Sequence, residues 1–458
     1  MPIPIVAIVG RTNVGKSTLF NRLLGQQVAV VDDQPGITRD RLYAEVRMGG
    51  RSMVLVDTGG LVGAESDELI LQVKEQAAAA LEEADVLIML CDGLEGVTLL
   101  DHEVAEVVRR TGKPVLLAVN KLENTREGLE DFYDLRLGTP QRISAITSYG
   151  FRGLVEEIIR LLPEEAEEEE PVAGETRIAI VGRPNVGKSA IVNAMLGEER
   201  VIVSEVPGTT RDAVDIAVEY EDKPFRRIDT AGLRRHFAQS SGTEYYSSLR
   251  TLRAMQRADV GMLVLDASEG MTKQDARIAG EVEQAGRGII IVVNKWDLIL
   301  ERAGEPEGAS EGQLRRAEKT LRGDFERVIR HRLPFLEYAP MLFTSAVTGE
   351  GLEELLPVGA DVASQFARRI ETGQLNRAVR EALFQHQPPG RGGKFFKVYY
   401  ATQVGTRPPT IVLMVNDPAL CHFSYERYLR NRLREQFGLQ GTPIRLQIKR
   451  RSRRGDVS

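Results

Sequence analysis

Cysteine and histidine are nearly missing from this 458-residue chain, which has two of the first and five of the second. Cys91 closes an apolar run and Cys421 sits far along the chain, neither with a second ligand at metal-binding spacing. A disulfide scaffold and a zinc centre are thereby excluded, and both thiols read as core or near-core residues. Also lacking is any run of about 18 apolar residues, the length that a membrane-spanning helix needs. Met1 leads almost directly into the strand-like stretch Ile3–Val9, with no charged leader and no cleavage site before it. These absences predict a soluble cytoplasmic protein.

What is present is charge, unevenly placed. The net charge is −6, yet from Pro357 to the end there are 18 Lys/Arg against 7 Asp/Glu. A basic end on an acidic body predicts a polyanionic partner met by one end only, and the tail Lys449–Arg454, with five cations in six residues, favours RNA. Pro163–Pro171 is the opposite: a glutamate-rich block too poor in apolar residues to pack, read as a solvated linker.

The strongest signal is a duplication. Gly10-Arg11-Thr12-Asn13-Val14-Gly15-Lys16-Ser17 and Gly182-Arg183-Pro184-Asn185-Val186-Gly187-Lys188-Ser189 both fit G-x-x-x-x-G-K-[ST], 172 residues apart. Each follows an apolar strand-like run and precedes a helical pattern, the context in which backbone N–H groups cradle phosphates and the lysine reaches the β- and γ-phosphates. At the same offset, Pro35-Gly36-Ile37-Thr38-Arg39-Asp40 answers Pro207-Gly208-Thr209-Thr210-Arg211-Asp212, and Asp57-Thr58-Gly59-Gly60 answers Asp229-Thr230-Ala231-Gly232. Asn120-Lys121-Leu122-Glu123 and Asn294-Lys295-Trp296-Asp297 lie 174 apart, and Ser144-Ala145 and Ser345-Ala346 lie 201 apart. The second copy therefore carries an insertion between its last two elements, for which Glu301–Gly312 and the helical pattern through Arg332 are the place.

This order of elements is the five-part signature of a GTPase. The carboxylate of N-K-x-D accepts from the guanine N1–H and N2 amine, donors that adenine does not offer, so Asp297 predicts GTP over ATP. In the first copy Glu123 holds that place, one methylene further out. Either a small backbone adjustment absorbs the difference, or the first site has altered affinity within guanine specificity; the second is the favoured reading. Ser17, Thr38 and Asp57, and in the second copy Ser189, Thr210 and Asp229, are the expected Mg²⁺ residues. The N–H groups of Gly60 and Gly232 are expected to sense the γ-phosphate, whose loss releases the threonine segments. Leu61 and Leu233 stand where some GTPases carry a water-orienting glutamine. Asn13 and Asn185 are candidates to bind K⁺ beside the phosphates, or they merely suit a turn.

Strand-like runs at Met53–Val56, Val86–Cys91 and Val115–Val119 alternate with helical stretches such as Asp67–Leu81 and His102–Thr111, and the second copy repeats this with Arg226–Ile228, Val260–Leu265 and Gly288–Val293. The expected fold class is α/β: two P-loop domains, each a mostly parallel sheet flanked by helices, plus a terminal α+β domain. The expected limits are 1–162 for the first GTPase domain, 163–175 for the linker, 176–357 for the second GTPase domain and 358–458 for the last domain with its basic tail. In that last domain, helical spacing runs through Val362, Phe366 and Ile370 to Ala382–Phe384, followed by strands Phe395–Thr402 and Thr410–Val415, a helix Tyr425–Phe437 and a strand Ile444–Lys449. The α-β-β-α-β order resembles a KH-type RNA-binding domain. Gly438-Leu439-Gln440-Gly441 has the letters of the KH G-x-x-G loop but follows the last helix, where a helix C-cap and turn explain it better.

Two in-register GTPase domains followed by a basic KH-like domain closely resemble the EngA family, also called Der, of bacterial ribosome-assembly GTPases, over essentially the whole chain. The resemblance implies K⁺-stimulated hydrolysis of GTP to GDP and phosphate, with Mg²⁺, and nucleotide-dependent binding to the large ribosomal subunit and its rRNA. Neither a DNA nor a membrane partner is expected. Glu123 departs from the usual family aspartate. A tRNA-modification GTPase shares the P-loop asparagine and T-T-R-D, but has one GTPase domain and a terminal cysteine motif that this chain lacks. A scaffold that holds nucleotide without turnover is the alternative from another class.

Overall fold

The computed structural model describes residues 3–25, 43–58, 81, 84–122, 129–163, 175–197, 201–204, 216–220, 223–228, 251, 254–304, 310–388 and 395–451. The chain divides into two compact units, whose described residues fall within 1–170 for the first and within 171–238 and 251–458 for the second. The first unit is built on strands β1 (Ile5–Val9), β2 (Tyr43–Met48), β3 (Arg51–Asp57), β4 (Val86–Asp92), β5 (Val115–Asn120) and β6 (Gln141–Arg142). Their spatial order is β2-β3-β1-β4-β5-β6, with every pairing parallel except that of β2 with β3. Helices α1 (Lys16–Gly25), α2 (Leu99–Arg110) and α3 (Phe151–Leu161) accompany them. β4 is buried at all seven positions, which is why it reads as a continuous apolar run rather than an alternating one.

The second unit repeats this plan and adds to it. Strands β7 (Thr176–Val181), β8 (Val201–Ser204), β9 (Ile216–Tyr220), β10 (Lys223–Ile228), β11 (Val260–Asp266), β12 (Gly288–Asn294) and β13 (Met341–Phe343) lie in the order β13-β12-β11-β7-β10-β9-β8. The core of both sheets is parallel, and in the second β8 extends the antiparallel edge through β9. Its helices are α4 (Lys188–Leu196), α5 (Lys273–Gln284), α6 (Trp296–Ala303), α7 (Glu311–Arg332) and α8 (Leu355–Phe366). α7, 22 residues long, occupies the inserted region between the fourth and fifth shared elements.

The C-terminal domain has helices α9 (Thr372–Gln385) and α10 (Phe423–Phe437) and strands β14 (Val398–Gly405), β15 (Thr410–Val415) and β16 (Arg445–Arg450). β15 pairs antiparallel with β14 and parallel with β16. Tyr425 and Leu429 of α10 join a core with Leu375, Val379, Ile411 and Leu413. The tyrosines at 425 and 428 donate from their hydroxyls to the carbonyls of His386 and Ala382, so that face of α10 is core, while Arg432 at its edge pairs with Glu435 at 2.6 Å.

The chain around position 357 differs from the expectation of one helical run beginning past it. The run is two helices, and the first, α8, spans that position: its Leu355, Leu356 and Val362 pack with Ile178, Val260, Met262 and Ile290 in the core of the second GTPase sheet. Gly438 does end α10 in the left-handed conformation, as a C-cap glycine does. Gly441 lies in the expected turn, with φ 64°, and is also a joint: its N–H donates to the Tyr338 carbonyl at 2.9 Å and its carbonyl accepts the Ile289 N–H at 2.8 Å. Around it Arg434 lies 4.3 Å over the Tyr338 ring, Arg407 pairs with Asp259 at 3.4 Å, and Arg427 with Glu337 at 3.6 Å. All these contacts reach the N-terminal ends of β11, β12 and β13.

Candidate nucleotide-binding sites

Both P-loops join the carboxyl end of a central strand to a helix N-terminus, β1 to α1 and β7 to α4, where open α/β sheets place their ligands. In the first, the Lys16 ammonium donates to the carbonyls of Gly10 at 2.8 Å and Arg11 at 2.6 Å; in the second, Lys188 donates to Gly182 and Arg183, each at 2.7 Å. An ammonium has three N–H donors. Among the described residues two are spent on fixing its direction, and one is left to aim at an anion. Burial pushes each lysine down to about 8, with Asp57 opposing the shift in Lys16 and neighbouring Arg11 or Arg183 adding to it.

Asn120 and Asn294 end β5 and β12 and tie three elements together. Each donates from Nδ2 to the P-loop, to Val14 O at 2.8 Å and Val186 O at 2.9 Å. Each Oδ1 accepts from the S-A element, Ala145 N at 2.9 Å and Ala346 N at 3.3 Å. The approach is so close that a Cβ on Gly15 would stand 2.5 Å from Asn120 Nδ2, and the backbone there has φ +99° besides. Lys121 and Lys295, both left-handed, turn back to ion-pair with buried Asp92 and Asp266, the latter at 2.6 Å. Burial opposes ionisation of both aspartates, but the lysines and the N–H groups of Leu94 and Ser268 outweigh it and hold the carboxyls below their usual range.

Trp296 is fully buried between Phe325 of α7, at 5.5 Å, and Phe343 of β13, at 4.6 Å. The inserted helix therefore buttresses the turn that presents Asp297. The Asp297 Oδ1 is buried without a hydrogen-bond partner among the described residues, which suits a carboxylate meant for donors on a ligand. Ser144 and Ser345 are buried beside these loops, and Ser345 Oγ accepts the Thr348 N–H at 3.1 Å.

Asp57 is 1% exposed at the end of β3, and Thr58 behind it donates its hydroxyl to Ile8 O at 2.7 Å, fixing β3 against β1. With Ser17 at the start of α1 this gives a hydroxyl and a carboxylate, hard oxygen donors of the kind Mg²⁺ takes. Thr12, Asn13, Pro184 and Asn185 are the exposed crest of each loop; the asparagines have φ 65° and 66°. Thr38, Gly59, Gly60, Glu123, Thr210, Asp229, Thr230, Ala231 and Gly232, with the leucines at 61 and 233, lie outside the described residues.

The arginines of the P-loops are placed otherwise than a phosphate-facing reading of the whole motif suggests. Arg11 pairs with Glu95 at 2.6 Å and Asp101 at 3.4 Å, and Arg183 with Glu269 at 2.7 Å and Asp275 at 3.3 Å. Their guanidinium groups are committed within the protein, and their carbonyls serve the lysines. The partners belong to a sixth shared element that motif reading passed over: Asp92-x-x-Glu95-Gly96-x-Thr98-x-x-Asp101 recurs 174 residues on as Asp266-x-x-Glu269-Gly270-x-Thr272-x-x-Asp275.

A duplicated strand–P-loop–helix unit with its base-side asparagine in place defines a P-loop GTPase with two G domains. Residues 5–121 and 177–295 match the family described as "50S ribosome-binding GTPase", and residues 369–449 match the "KH-domain-like of EngA bacterial GTPase enzymes, C-terminal". The chain is 49% identical over 454 residues to GTPase Der of Desulfitobacterium hafniense (strain DSM 10664 / DCB-2), covering 98% of this chain and 99% of that protein. It is 47% identical over 451 residues to GTPase Der of Geobacillus kaustophilus, covering 97% and 99%. To GTPase Der of Pelotomaculum thermopropionicum it is 48% identical over 455 residues, covering 99% and 100%. It belongs to the GTPase Der, or EngA, family: its activity is GTP hydrolysis, and its ligands are GTP, GDP and Mg²⁺. Among the described residues no helix is long and apolar enough to cross a membrane.

Proposed function

We propose that this GTPase is a switch in maturation of the large ribosomal subunit, working in the cytoplasm and binding rRNA through its C-terminal domain in one nucleotide state. One pairing carries the reading: the stretch that matches the KH-like domain of EngA enzymes is also where the chain's positive charge collects, 18 Lys/Arg against 7 Asp/Glu from Pro357 onward. Each phosphate contact made by such a surface releases counterions, so binding weakens as salt rises. In this reading 1–162 and 176–357 are the two switches, 163–175 their acidic linker and 358–458 the RNA-binding part, with α8 shared across the last limit.

In this reading each residue of the two sites has its own role. The lysine's third donor meets the β- and γ-phosphates, and Asn120 or Asn294 locks the base-side loop to the P-loop. Asp297 and Glu123 accept from guanine. Ser17, Thr38 and Asp57, and Ser189, Thr210 and Asp229, hold Mg²⁺, which supplies positive charge against the phosphate oxygens. Gly60 and Gly232 present N–H groups to the γ-phosphate, and the amides of Asn13 and Asn185 help hold K⁺, in place of an inserted arginine.

Co-sedimentation with purified large subunits tests the switch. Tight association with a non-hydrolysable GTP analogue and weak association with GDP is expected, with loss of affinity and a lower salt slope when Lys449–Arg454 are removed. Equal association in both nucleotide states would overturn it.

A further inference from the structure

Asp101 and Asp275 have an odd position for acidic groups: both are 0% exposed. Each is the third residue of a helix, α2 or α5, and completes a capping box. Asp101 Oδ2 accepts the Thr98 N–H at 3.0 Å and its hydroxyl at 2.7 Å, while the Asp101 N–H donates to Thr98 Oγ1 at 3.3 Å. The second copy repeats the set with Thr272 at 2.8, 2.7 and 3.2 Å. A capping box needs no burial, since solvated carboxylates serve it equally well. Sinking the carboxylate out of water is costly unless it meets a cation. Here the cation is the P-loop arginine, 11% exposed in both copies.

The arginine links the two ends of a chain of contacts. Its side chain is held by Asp101 and Glu95, and its carbonyl is one of the two that orient Lys16. The P-loop backbone here is built from permissive conformations, with φ 150° at Gly10, 65° at Asn13 and 99° at Gly15, so local preference alone does little to fix where the Arg11 carbonyl points. We infer that Asp101 and Asp275 are positioning residues for phosphate transfer: each pins the P-loop arginine to a helix N-terminus and thereby aims the catalytic lysine. The inference rests on the reading that both P-loops bind GTP. Its warrant is the duplication, because the same aspartate–arginine–carbonyl–lysine chain recurs in both sites with distances that agree within about 0.2 Å.

The test uses the full chain with one site silenced at a time, Lys188→Ala when the first is read and Lys16→Ala when the second is read. Asp101→Asn and Asp275→Asn keep an oxygen for the threonine and remove the charge that holds the arginine. A small misplacement of a reacting group costs on the order of tenfold to a hundredfold in rate, so kcat is expected to fall by about tenfold or more with GDP affinity little changed. Asp101→Glu should recover part of the loss. Glu95→Gln and Glu269→Gln, at half-exposed positions that folding tolerates, should lower kcat in the same direction but less. A lowered melting midpoint with unchanged kcat in the asparagine variants would reduce the pair to a folding device and overturn the inference, as would glutamine variants with full activity. Absence of GTP binding in the unmodified sites would instead sink the nucleotide reading beneath it.

Discussion

The Gly441 carbonyl accepts the Ile289 N–H, and five residues further along the same strand Asn294 grips the P-loop. At about 3.3 Å per residue the two contacts stand roughly 17 Å apart, one at each end of β12. The C-terminal domain is thus seated at the pole of the second G domain opposite its nucleotide. A Cβ at Gly441 would stand 2.6 Å from Val362 Cγ2 and 2.9 Å from the Ile289 carbonyl, on a backbone with φ +64°. Gly441→Ala should therefore cost about 1–3 kcal/mol, lowering the melting transition of this unit in calorimetry. Affinity for a fluorescent GDP analogue should not change.

Asp297 should read guanine. Asp297→Asn replaces an acceptor with an amide that can donate to the C2 carbonyl of xanthine, so GTP affinity should fall by about a hundredfold or more while xanthosine triphosphate improves. Equal loss of both nucleotides in a titration would show that this carboxylate supports the fold instead.

Glu123→Asp tests the first site's departure from the family. If the extra methylene is a handicap, GDP binding at a chain with Lys188→Ala should tighten. An unchanged dissociation constant would mean that the backbone absorbs the difference.

Replacing Na⁺ by K⁺ at constant ionic strength should raise turnover, and loss of the asparagine amide should erase the difference. The φ values of 65° and 66° dictate the variant to use. Asn13→Ala and Asn185→Ala would strain the loop by about 1 kcal/mol, whereas Asn→Gly keeps the conformation and removes only the amide. Turnover of the glycine variants that still responds to K⁺ would dismiss these residues as ligands.

The lysines give the reaction an alkaline limit. With both ammonium groups titrating at about 8 in the free protein, kcat/KM for GTP should decline as pH rises through that value. Bound phosphate favours the charged form, so kcat at saturation should persist to higher pH. For stability the sign is opposite: the unfolded lysines titrate near 10.5, so the unfolded chain holds the extra protons between about 8 and 10.5. Across that window these two groups make folding more favourable as pH rises.

Most of the G domains was legible in sequence because phosphate and guanine recognition demand fixed residues at fixed spacing. The central strands were legible as well, since burial on both faces writes them as apolar runs. β2 and β9 escaped because they lie on the antiparallel side of each sheet, where Tyr43–Met48 and Ile216–Tyr220 mix polar and apolar residues. The arginine–aspartate struts escaped for another reason: Asp101 and Asp275 look like ordinary helix-capping residues until their burial is known. Gly441 was read as a turn glycine, and a sequence has no way to say that its two backbone groups are spent on another domain.

The course of α8 bears on how the gene can be cut. A fragment ended at residue 357 would stop after three residues of a twelve-residue helix and strip Val362 and Phe366 from the protein. The ends of β7, β11 and β12 that Val362 covers would then face water, so a soluble second G domain expressed alone should run at least through Phe366. Even that fragment would leave the Ile289 N–H and the Tyr338 carbonyl without Gly441, and its stability would understate what the G domain has in the whole chain.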